Sequence, residues 1–315
     1  MKILLVQLGK IGDAVLMTPL IREIALNIPD AEIHVIVSSK AAPVYKDNPN
    51  IKKLLIYKKN PVSLFLIFIY LFINKYEWLI DPKDHYSKES AFIAKICKAE
   101  KSIGYNLPDK INFMFLVNSE KQNQKLHAVE RNLLCLKYLG IDKKAGLLPQ
   151  LFPDSTIQKE IQKTFLLHKN KNVLINISSG NSSRNWQIEH FIKVSEYCIS
   201  KKFSVFITFK PADKKYAKII GSYVSCVNIF NSPTICYIIA LMPFMHLVIT
   251  PDTSIVHIAS AFNIPQVALF PDIEWNYYKF RPLSSKHAVI MPQKGKNIST
   301  IPPERVIEEI EKIIG

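Results

Sequence analysis

The chain has 315 residues, of which 48% are hydrophobic and 21% charged, a composition that excludes a disordered or fibrous protein. This length predicts two domains, and each is large enough to fold without disulfide or metal cross-links. The 41 basic and 26 acidic side chains give a net charge of +15, which favours nucleic acid, anionic lipid head groups or phosphorylated ligands as partners. The five cysteines are scattered without a CxxC pair, which indicates reduced thiols in a cytosolic protein and neither a disulfide framework nor a zinc site.

In the first half of the chain, apolar runs typical of buried strands alternate with segments of helical spacing. The predicted strands are Lys2–Gln7, Glu32–Val37, Ile51–Tyr57, Trp78–Asp81 and Lys101–Gly104, and the predicted helices are Asp13–Asn27, 61–74, Ser87–Lys98 and His127–Leu139. Charged residues interrupt the first apolar run, so it indicates a buried strand and not a signal peptide.

One segment is unusually apolar. Pro61–Ile73 carries 13 residues without a charge, fewer than the roughly 20 that a membrane-spanning helix needs. One interpretation is a helix buried in the protein core. The other is a helix that dips its apolar face into a membrane interface beside basic side chains, namely Lys52, Lys53, Lys58 and Lys59.

A boundary falls near residue 150, where Pro149, Pro153 and the capping sequence Asp154-Ser155-Thr156 precede a second series of alternating elements. Its predicted strands are Val173–Ile177, Phe203–Thr208, Val227–Phe230, Leu247–Thr250 and Gln266–Phe270, and its predicted helices are Trp186–Lys201, Asp213–Gly221, Thr234–Leu241, Ser254–Phe262 and Pro303–Ile314. Such alternation indicates βαβ units. We predict two doubly wound α/β domains, 1–150 and 151–315, that meet at a cleft.

Ligands of doubly wound sheets bind at the carboxyl ends of the strands, so the loops that follow strands are candidate sites. The first such loop is Leu8–Asp13, which has GxxG and not the GxGxxG of dinucleotide-binding proteins. The carboxylate of Asp13 would also repel a pyrophosphate, which disfavours a dehydrogenase. Asp13 is either a helix cap or a general base for an acceptor hydroxyl.

The second candidate loop is Ser178–Trp186, which is rich in small hydroxyl residues. Backbone N–H groups in such a loop can approach a phosphate, and Arg184 can neutralise it with two parallel hydrogen bonds. The alternative is a solvated polar turn with Trp186 in the core.

The third candidate loop opens a helix with Asp252, Thr253 and Ser254. Free N–H groups at such a helix start can bind a diphosphate. His257 follows one turn later, where it can face either the same site or the core. Two anion-receptive turns in one domain together indicate a nucleoside diphosphate ligand.

These residues resemble glycosyltransferase family 9, the ADP-heptose:lipopolysaccharide heptosyltransferases and their relatives. The resemblance rests on three motifs: Gly12-Asp13-xxxx-Thr18-Pro19, Arg184-x-Trp186, and PDTSIVHIASAFNIPQVALF at 251–270. It implies a GT-B fold of two Rossmann-like domains, an acceptor-binding domain over 1–150 and a nucleotide-sugar-binding domain over 151–315. The implied reaction is inverting, metal-independent transfer of heptose from ADP-heptose to a lipopolysaccharide core or related glycan.

The resemblance also implies a role for each matching residue. Asp13 matches the general base that deprotonates the acceptor hydroxyl. The nucleotide sugar would be bound by Ser178, Ser179, Arg184, Asp252, Thr253, Ser254 and His257. The anionic acceptor would be bound by Lys10, Lys83, His85, His127 and Arg131, although His127 and Arg131 are equally consistent with a pair on a helix surface. The resemblance implies no metal or other cofactor, and the chain has no DxD motif, which is consistent with this.

The resemblance also implies a cytoplasmic protein that associates peripherally with the anionic inner face of the inner membrane. Nucleic acid is not expected as a partner, because the lysines are dispersed and no recognition motif occurs. The donor stays open, because Ser254, Arg184 and Lys210 depart from the residues common in the family, and Asp213 aligns only loosely with a ribose contact. The alternatives are the same fold with another nucleotide sugar, such as a UDP-hexose, and a non-catalytic protein that binds a nucleotide sugar or a glycan.

Overall fold

The structure is a computed structural model that describes residues 1–83, 85–105, 113–116, 125–165, 167, 171–181 and 184–314. The chain separates into two compact units, Met1–Leu151 and Phe152–Gly315. Each unit contains one six-stranded sheet whose paired strands are all parallel.

The sheet of the first unit has the strand order β3-β2-β1-β4-β5-β6. Its strands are β1 (Lys2–Gln7), β2 (Glu32–Ser38), β3 (Lys53–Tyr57), β4 (Trp78–Ile80), β5 (Lys101–Gly104) and β6 (Phe115–Leu116). Its helices are α1 (Ile11–Asn27), α2 (Pro61–Ile73), α3 (Lys88–Cys97), α4 (Ala128–Leu133) and α5 (Leu136–Leu139). The chain order reverses at β1, so the carboxyl end of β1 is the place where this topology opens a ligand site.

Packing on both faces explains why the central strand of this unit is continuously apolar. Residues 3–6 of β1 have no exposed surface, as expected for a parallel strand covered by helices on each side. Ile67 of α2 and Ile93 of α3 pack into one cluster with Leu4 and Val6 of that strand. Helix α1 packs instead against α4, where the Asn132 side-chain amide donates to the Leu16 carbonyl at 2.9 Å.

The sheet of the second unit has the order β12-β11-β10-β7-β8-β9. Its strands are β7 (Asn172–Asn176), β8 (Ser204–Thr208), β9 (Asn228–Phe230), β10 (Leu247–Pro251), β11 (Gln266–Leu269) and β12 (His287–Ile290). Its helices are α6 (Ser155–Thr164), α7 (Ile188–Ser200), α8 (Lys214–Tyr223), α9 (Ile235–Leu241), α10 (Ser254–Ala261), α11 (Glu274–Phe280) and α12 (Pro303–Ile314). The order reverses between the neighbours β7 and β10, which brings the loops after these two strands together.

The predicted doubly wound α/β architecture is confirmed, but one predicted helix is wrong. The predicted helix His127–Leu139 is two helices, because the amides of Leu134 and Cys135 bond to carbonyls three residues back and tighten the turn between α4 and α5. The sequence pattern also missed β6, α11 and β12. The first has only two residues, and α11 is a short segment of aromatic and polar residues without a clear apolar stripe.

The buried interpretation of Pro61–Ile73 is also wrong. The segment forms α2, but only Ser63, Ile67 and Leu71 are buried in it. Its apolar residues surround the helix, and a single layer of sheet can cover only one side of it. No helix among the described residues is long and apolar enough to cross a membrane.

Candidate functional site

Three loops meet at the carboxyl edge of the second sheet, and Asn176 at the end of β7 joins two of them. Its side-chain amide nitrogen lies 2.9 Å from Thr250 Oγ1, 3.2 Å from Thr253 Oγ1 and 3.0 Å from the Ser178 carbonyl oxygen. The side-chain oxygen Oδ1 of Asn176 accepts the Ser178 amide at 3.1 Å. This buried side chain therefore fixes the loop after β7 to the loop after β10.

Ser178 joins the same loop to the one that follows β8. Its hydroxyl donates to Asp213 Oδ2 at 2.7 Å and accepts the Lys210 amide at 2.8 Å. The Lys210 ammonium donates to the Ser179 carbonyl at 2.9 Å and lies 3.5 Å from Asp213 Oδ2. The hydroxyl of Ser178 thus orients Asp213, while Lys210 closes the turn.

The remainder of the loop after β7 is held by its own side chains. The Ser179 hydroxyl lies 2.6 Å from the Asn181 carbonyl oxygen and 2.5 Å from Asn185 Oδ1. Trp186 is buried, and its indole N–H donates to the Ile301 carbonyl at 2.8 Å. The prediction that Trp186 belongs to the core is therefore confirmed. Ser182 and Ser183 of the predicted loop lie outside the described residues.

Arg184 is held at the start of α10 by an ion pair. Its Nη1 lies 2.6 Å from Oδ2 of Asp252, a carboxylate that is only 5% exposed. Asn276 of α11 is fully buried between the two: its Nδ2 donates to Asp252 Oδ2 at 2.8 Å, and its Oδ1 accepts from Arg184 Nη2 at 3.4 Å. The pairing compensates the buried carboxylate and leaves a partly exposed guanidinium in a fixed position, where it can meet an anion.

The first turn of α10 lies beside this ion pair. Thr253 is the N-cap residue, and its hydroxyl accepts the Ile255 amide at 3.2 Å. Ser254 is the first helical residue, so its amide and those that follow it belong to the turn that carries partial positive charge. Arg184 and this turn therefore bring positive charge from two different loops to one place, an arrangement that suits an anion.

His257 lies in the core side of α10 and is nearly inaccessible. Burial lowers the pKa of His257 to about 4, and its ring centroid lies 5.9 Å from that of Phe280. The imidazole is therefore neutral near pH 7. It can offer one N–H to a ligand but no positive charge.

A pocket of about 570 Å³ opens nearby, between α11 and β12. Its lining includes Asp272 and Glu274 together with the rings of Tyr277 and Tyr278. Two carboxylates disfavour a phosphate there. Within the described part of this unit, the ion-paired Arg184 and the start of α10 are a better place for a diphosphate.

At the carboxyl edge of the first sheet, Asp13 lies in the opening turn of α1. Its Oδ2 accepts the amide of Lys10, the N-cap residue, at 2.8 Å, so Asp13 caps the helix start from the third helical position. A Cβ at Gly9 would lie 2.7 Å from the same oxygen, which explains the glycine. The Ser38 hydroxyl of β2 donates to the Gly9 carbonyl at 3.0 Å and fixes this turn to the neighbouring strand.

The segment that follows β4 lies next to that turn, because β1 and β4 are paired neighbours. It carries Lys83, which is half-buried, and His85, which is exposed. The carboxylate of Asp81 at its start is buried, and this burial raises the pKa of Asp81. The Lys83 amide donates to Asp81 Oδ1 at 3.3 Å. The topology therefore places Lys10, Lys83 and His85 along one sheet edge.

His127 and Arg131 are placed by local contacts of α4. His127 is the N-cap residue and fully buried: its Nδ1 accepts the Val129 amide at 3.2 Å. The interpretation of His127 as part of a surface pair is therefore wrong, because the ring satisfies the open helix end. Arg131 Nε donates to the Leu126 carbonyl at 3.2 Å, so part of this guanidinium folds back on the segment before the helix.

Sequence reasoning missed Asn176 and Asn276, whose buried amides connect loops of the second unit. Asn176 directly follows the apolar run Val173-Leu174-Ile175, and this polar residue at a strand end was the available signal. Asn276 gave no such signal, because its helix was not predicted. The contact between Asn276 and Asp252 joins residues 24 positions apart.

Comparison with known proteins assigns these features to a family. The model of glycosyltransferase family 9 (heptosyltransferase) matches residues 70–301 of the chain. Lipopolysaccharide heptosyltransferase 3 of Escherichia coli is 23% identical to it, with 96% of each chain covered.

Solved structures share the fold. The glycosyl transferase family 9 structure from Veillonella parvula has a TM-score of 0.86 at 19% identity and covers 99% of this chain and 97% of its own. The ADP-heptose lps heptosyltransferase II of E. coli has a TM-score of 0.81 at 19% identity and covers 100% of this chain and 98% of its own. The implied GT-B fold is confirmed by these neighbours, and the protein is a glycosyltransferase. The chain belongs to glycosyltransferase family 9.

Proposed function

We propose that this chain transfers heptose from ADP-heptose to a lipopolysaccharide core or another anionic glycan acceptor, with inversion and without a metal ion. The observation that carries the proposal is Arg184, held 2.6 Å from the buried carboxylate of Asp252 beside the start of α10. Named relatives that span nearly the whole chain are heptosyltransferases, which favours heptose over the UDP-hexose alternative.

On this proposal the second unit binds the donor. Arg184, the amide of the N-cap residue Thr253 and the amide of Ser254, the first residue of α10, meet the diphosphate. The bond from the anomeric carbon to the phosphate oxygen breaks, and ADP leaves with the negative charge. Donors that are already fixed stabilise this charge as it develops. Arg184 and the helix start would thereby supply the positive charge that a divalent cation supplies in other enzymes.

The other donor-site residues take supporting roles. Ser178 and Ser179 shape the loop that approaches the nucleotide, and Asp252 lies next to the sugar and phosphates while it holds Arg184 in place. His257 acts as a neutral N–H donor, because its pKa of about 4 leaves the imidazole uncharged near pH 7.

Asp13 is the proposed general base in the first unit. It accepts the proton of the acceptor hydroxyl as the new bond forms between that oxygen and the anomeric carbon. Attack on the face opposite to the departing diphosphate gives inversion. Lys10, Lys83, His85 and Arg131 are the proposed acceptor-binding residues. His127, which the resemblance implied as well, is not among them, because its ring is fully buried and caps α4.

The proposed location is the cytoplasm, with peripheral association at the inner face of the inner membrane. A soluble nucleotide sugar and a membrane-bound glycolipid acceptor would meet there. Nucleic acid is not part of the proposal.

Thermal stabilisation by a nucleotide panel tests the donor assignment. At 100 times its dissociation constant a ligand adds about 2.7 kcal/mol to the free energy of unfolding. We expect ADP to raise the melting temperature selectively over UDP, GDP, CMP and NAD. A selective response to UDP would replace heptose with another sugar, and no response to any of them would remove the support for a donor site.

A transfer assay with ADP-heptose and a delipidated core oligosaccharide tests catalysis. We expect release of ADP, a product of inverted anomeric configuration by NMR, and undiminished activity in the presence of EDTA. Binding of ADP-heptose without turnover by the wild-type protein would contradict transfer of heptose to this acceptor.

A further inference from the structure

Helix α2 exposes most of its surface, and that surface is apolar. One stripe of it, Ser63, Ile67 and Leu71, is buried against the first unit. Seven large hydrophobic side chains are exposed on the rest of the helix: Val62, Phe65, Leu66, Phe68, Ile69, Phe72 and Ile73. We call these seven residues the α2 apolar face. Isolated exposed hydrophobics are ordinary, but a contiguous set of this kind marks an interaction surface.

Basic side chains flank the α2 apolar face. Lys58 and Lys59 precede the helix, Lys75 follows it, and Lys52 and Lys53 lie on the segment leading into and along the neighbouring strand β3; all five are exposed. Residues 48–76 contain these five lysines and no Asp or Glu. The surface therefore combines aromatic and aliphatic side chains with positively charged ones, and residues 48–76 add no negative charge to it.

The helix is firmly attached, so its exposed side chains keep a fixed orientation. Asn60 caps its first turn, with Oδ1 accepting the Ser63 amide at 2.8 Å. The Tyr70 ring packs against His34 of β2, with ring centroids 5.9 Å apart. The rings of Phe68 and Phe72 stack at 6.2 Å on the exposed side. Exposure of the α2 apolar face is thus a property of a packed helix and not of a frayed segment.

We propose that the α2 apolar face inserts into the interface of an anionic lipid bilayer, while the flanking lysines contact the lipid head groups. An interfacial helix of this kind lies in the plane of the membrane, with aromatic side chains at the acyl boundary and cations at the phosphates. Charge favours the bilayer over a second copy of this chain. A two-fold contact of the face with itself would bring lysines toward lysines, whereas an anionic bilayer neutralises them.

This inference rests on the proposed function in one respect. The proposed acceptor is a glycolipid, and this explains why the enzyme would bind a membrane. Membrane binding itself follows from the surface of the first unit. It is measurable without a donor, an acceptor or turnover, so a failure of either proposal leaves the other to be judged separately.

Vesicle co-sedimentation tests the proposal directly. One set of vesicles is phosphatidylcholine alone, and the other contains about one third phosphatidylglycerol as the anionic lipid. Each set is used at low and at high NaCl concentration. We expect the wild type to bind the anionic vesicles, to bind neutral vesicles weakly, and to lose affinity as salt rises because the lysines are screened.

Matched variants assign the binding to α2. The double variant Phe65→Asn/Phe72→Asn removes two exposed rings and should weaken binding to anionic vesicles by at least about tenfold. Tyr223→Asn is the control, since Tyr223 in the second unit is as exposed (71%) as Phe72 (72%). Lys52→Gln/Lys58→Gln should weaken binding by about fivefold for each lysine removed. Circular dichroism and melting temperature check that each variant is folded.

Two further measurements keep the test independent of folding defects. Hydrogen exchange of the wild type should slow in α2 when anionic vesicles are added. Transfer to the delipidated acceptor should be unchanged in the Phe65→Asn/Phe72→Asn variant. The proposal is overturned if the wild type does not bind anionic vesicles at low salt, or if the double variant binds as the wild type does. It is also overturned if sedimentation velocity shows a wild-type dimer that the double variant loses while vesicle binding stays intact.

Discussion

The Arg184 guanidinium and the Asp252 carboxylate form a 2.6 Å ion pair at the carboxyl edge of the second sheet, and both contact the buried amide of Asn276. Asp252 needs a cation because it is buried, and Arg184 supplies it. On the proposed function the same guanidinium also binds the diphosphate from a position that is already fixed. The contacts of its planar fork with two partners give it an orientation that a lysine ammonium lacks.

Replacing Arg184 should therefore reduce both stability and donor affinity. We expect Arg184→Gln to lower the melting temperature, because Asp252 loses its counter-ion, and to weaken ADP binding by about tenfold or more in calorimetry. The melting temperature and ADP affinity of Arg184→Lys should lie between those of the wild type and of Arg184→Gln, because lysine keeps the charge but lacks the planar guanidinium. The control is Arg305→Gln, at an exposed arginine of α12. Unchanged ADP affinity in Arg184→Gln would remove this residue from the donor site.

Asp13 offers a way to separate capping from catalysis. Asp13→Asn keeps an oxygen that can accept the Lys10 amide and loses the basic carboxylate, so turnover should fall by about 100-fold or more while ADP binding and stability stay close to the wild type. Asp13→Ala removes the cap as well and should lower the free energy of unfolding by about 1 kcal/mol. Equal turnover of Asp13→Asn and wild type would show that this carboxylate is not the base.

The hydrogen bond from Ser178 holds the Asp213 carboxylate in a fixed orientation, in which we expect it to bind the nucleotide ribose. If Asp213 binds the ribose hydroxyls, the wild type should bind ADP about tenfold more tightly than 2′-deoxy-ADP. Asp213→Ala should reduce that preference, and Ser178→Ala should reduce it partly, because the carboxylate loses its 2.7 Å hydrogen bond. Titration calorimetry with the two nucleotides measures both effects. A preference that survives in Asp213→Ala would place the ribose elsewhere.

Two buried histidines should make the fold sensitive to acid. Burial lowers the pKa of His34 and of His257 to about 4, below the ordinary value near 6.5 of the unfolded chain. Between these two pKa values the unfolded chain binds more protons than the folded chain. The contribution of the two neutral histidines to the free energy of unfolding is therefore fully present above pH 6.5 and is lost as the pH falls toward 4. For His257 the loss is roughly 3 kcal/mol when fully developed.

Urea unfolding at pH 7 and at pH 5 measures this effect. His34→Gln and His257→Asn should each flatten the pH dependence, because each removes one group that must lose its proton to be buried. A wild-type unfolding free energy that does not change between the two pH values would contradict the prediction.

The sequence by itself determined the alternation of strands and helices, the two doubly wound sheets and the loops that follow their strands. These features depend on local patterns. Apolar runs bounded by polar turns form buried strands, and a Thr253 or Asp154 at a helix start shows its capping role within a few residues. The motif around Asp252 is a contiguous stretch of sequence, so the family resemblance could be recognised without the structure.

Only the tertiary structure decided which side of an element meets the protein. The apolar sequence of α2 was compatible with complete burial, and the sheet covers only its stripe at Ile67 and Leu71. His257 turned toward Phe280, and Asn276 reached Asp252 across 24 residues of chain. The orientation of a helix about its axis and the pairing of distant polar groups depend on how the whole core packs. No local run of sequence contains that information.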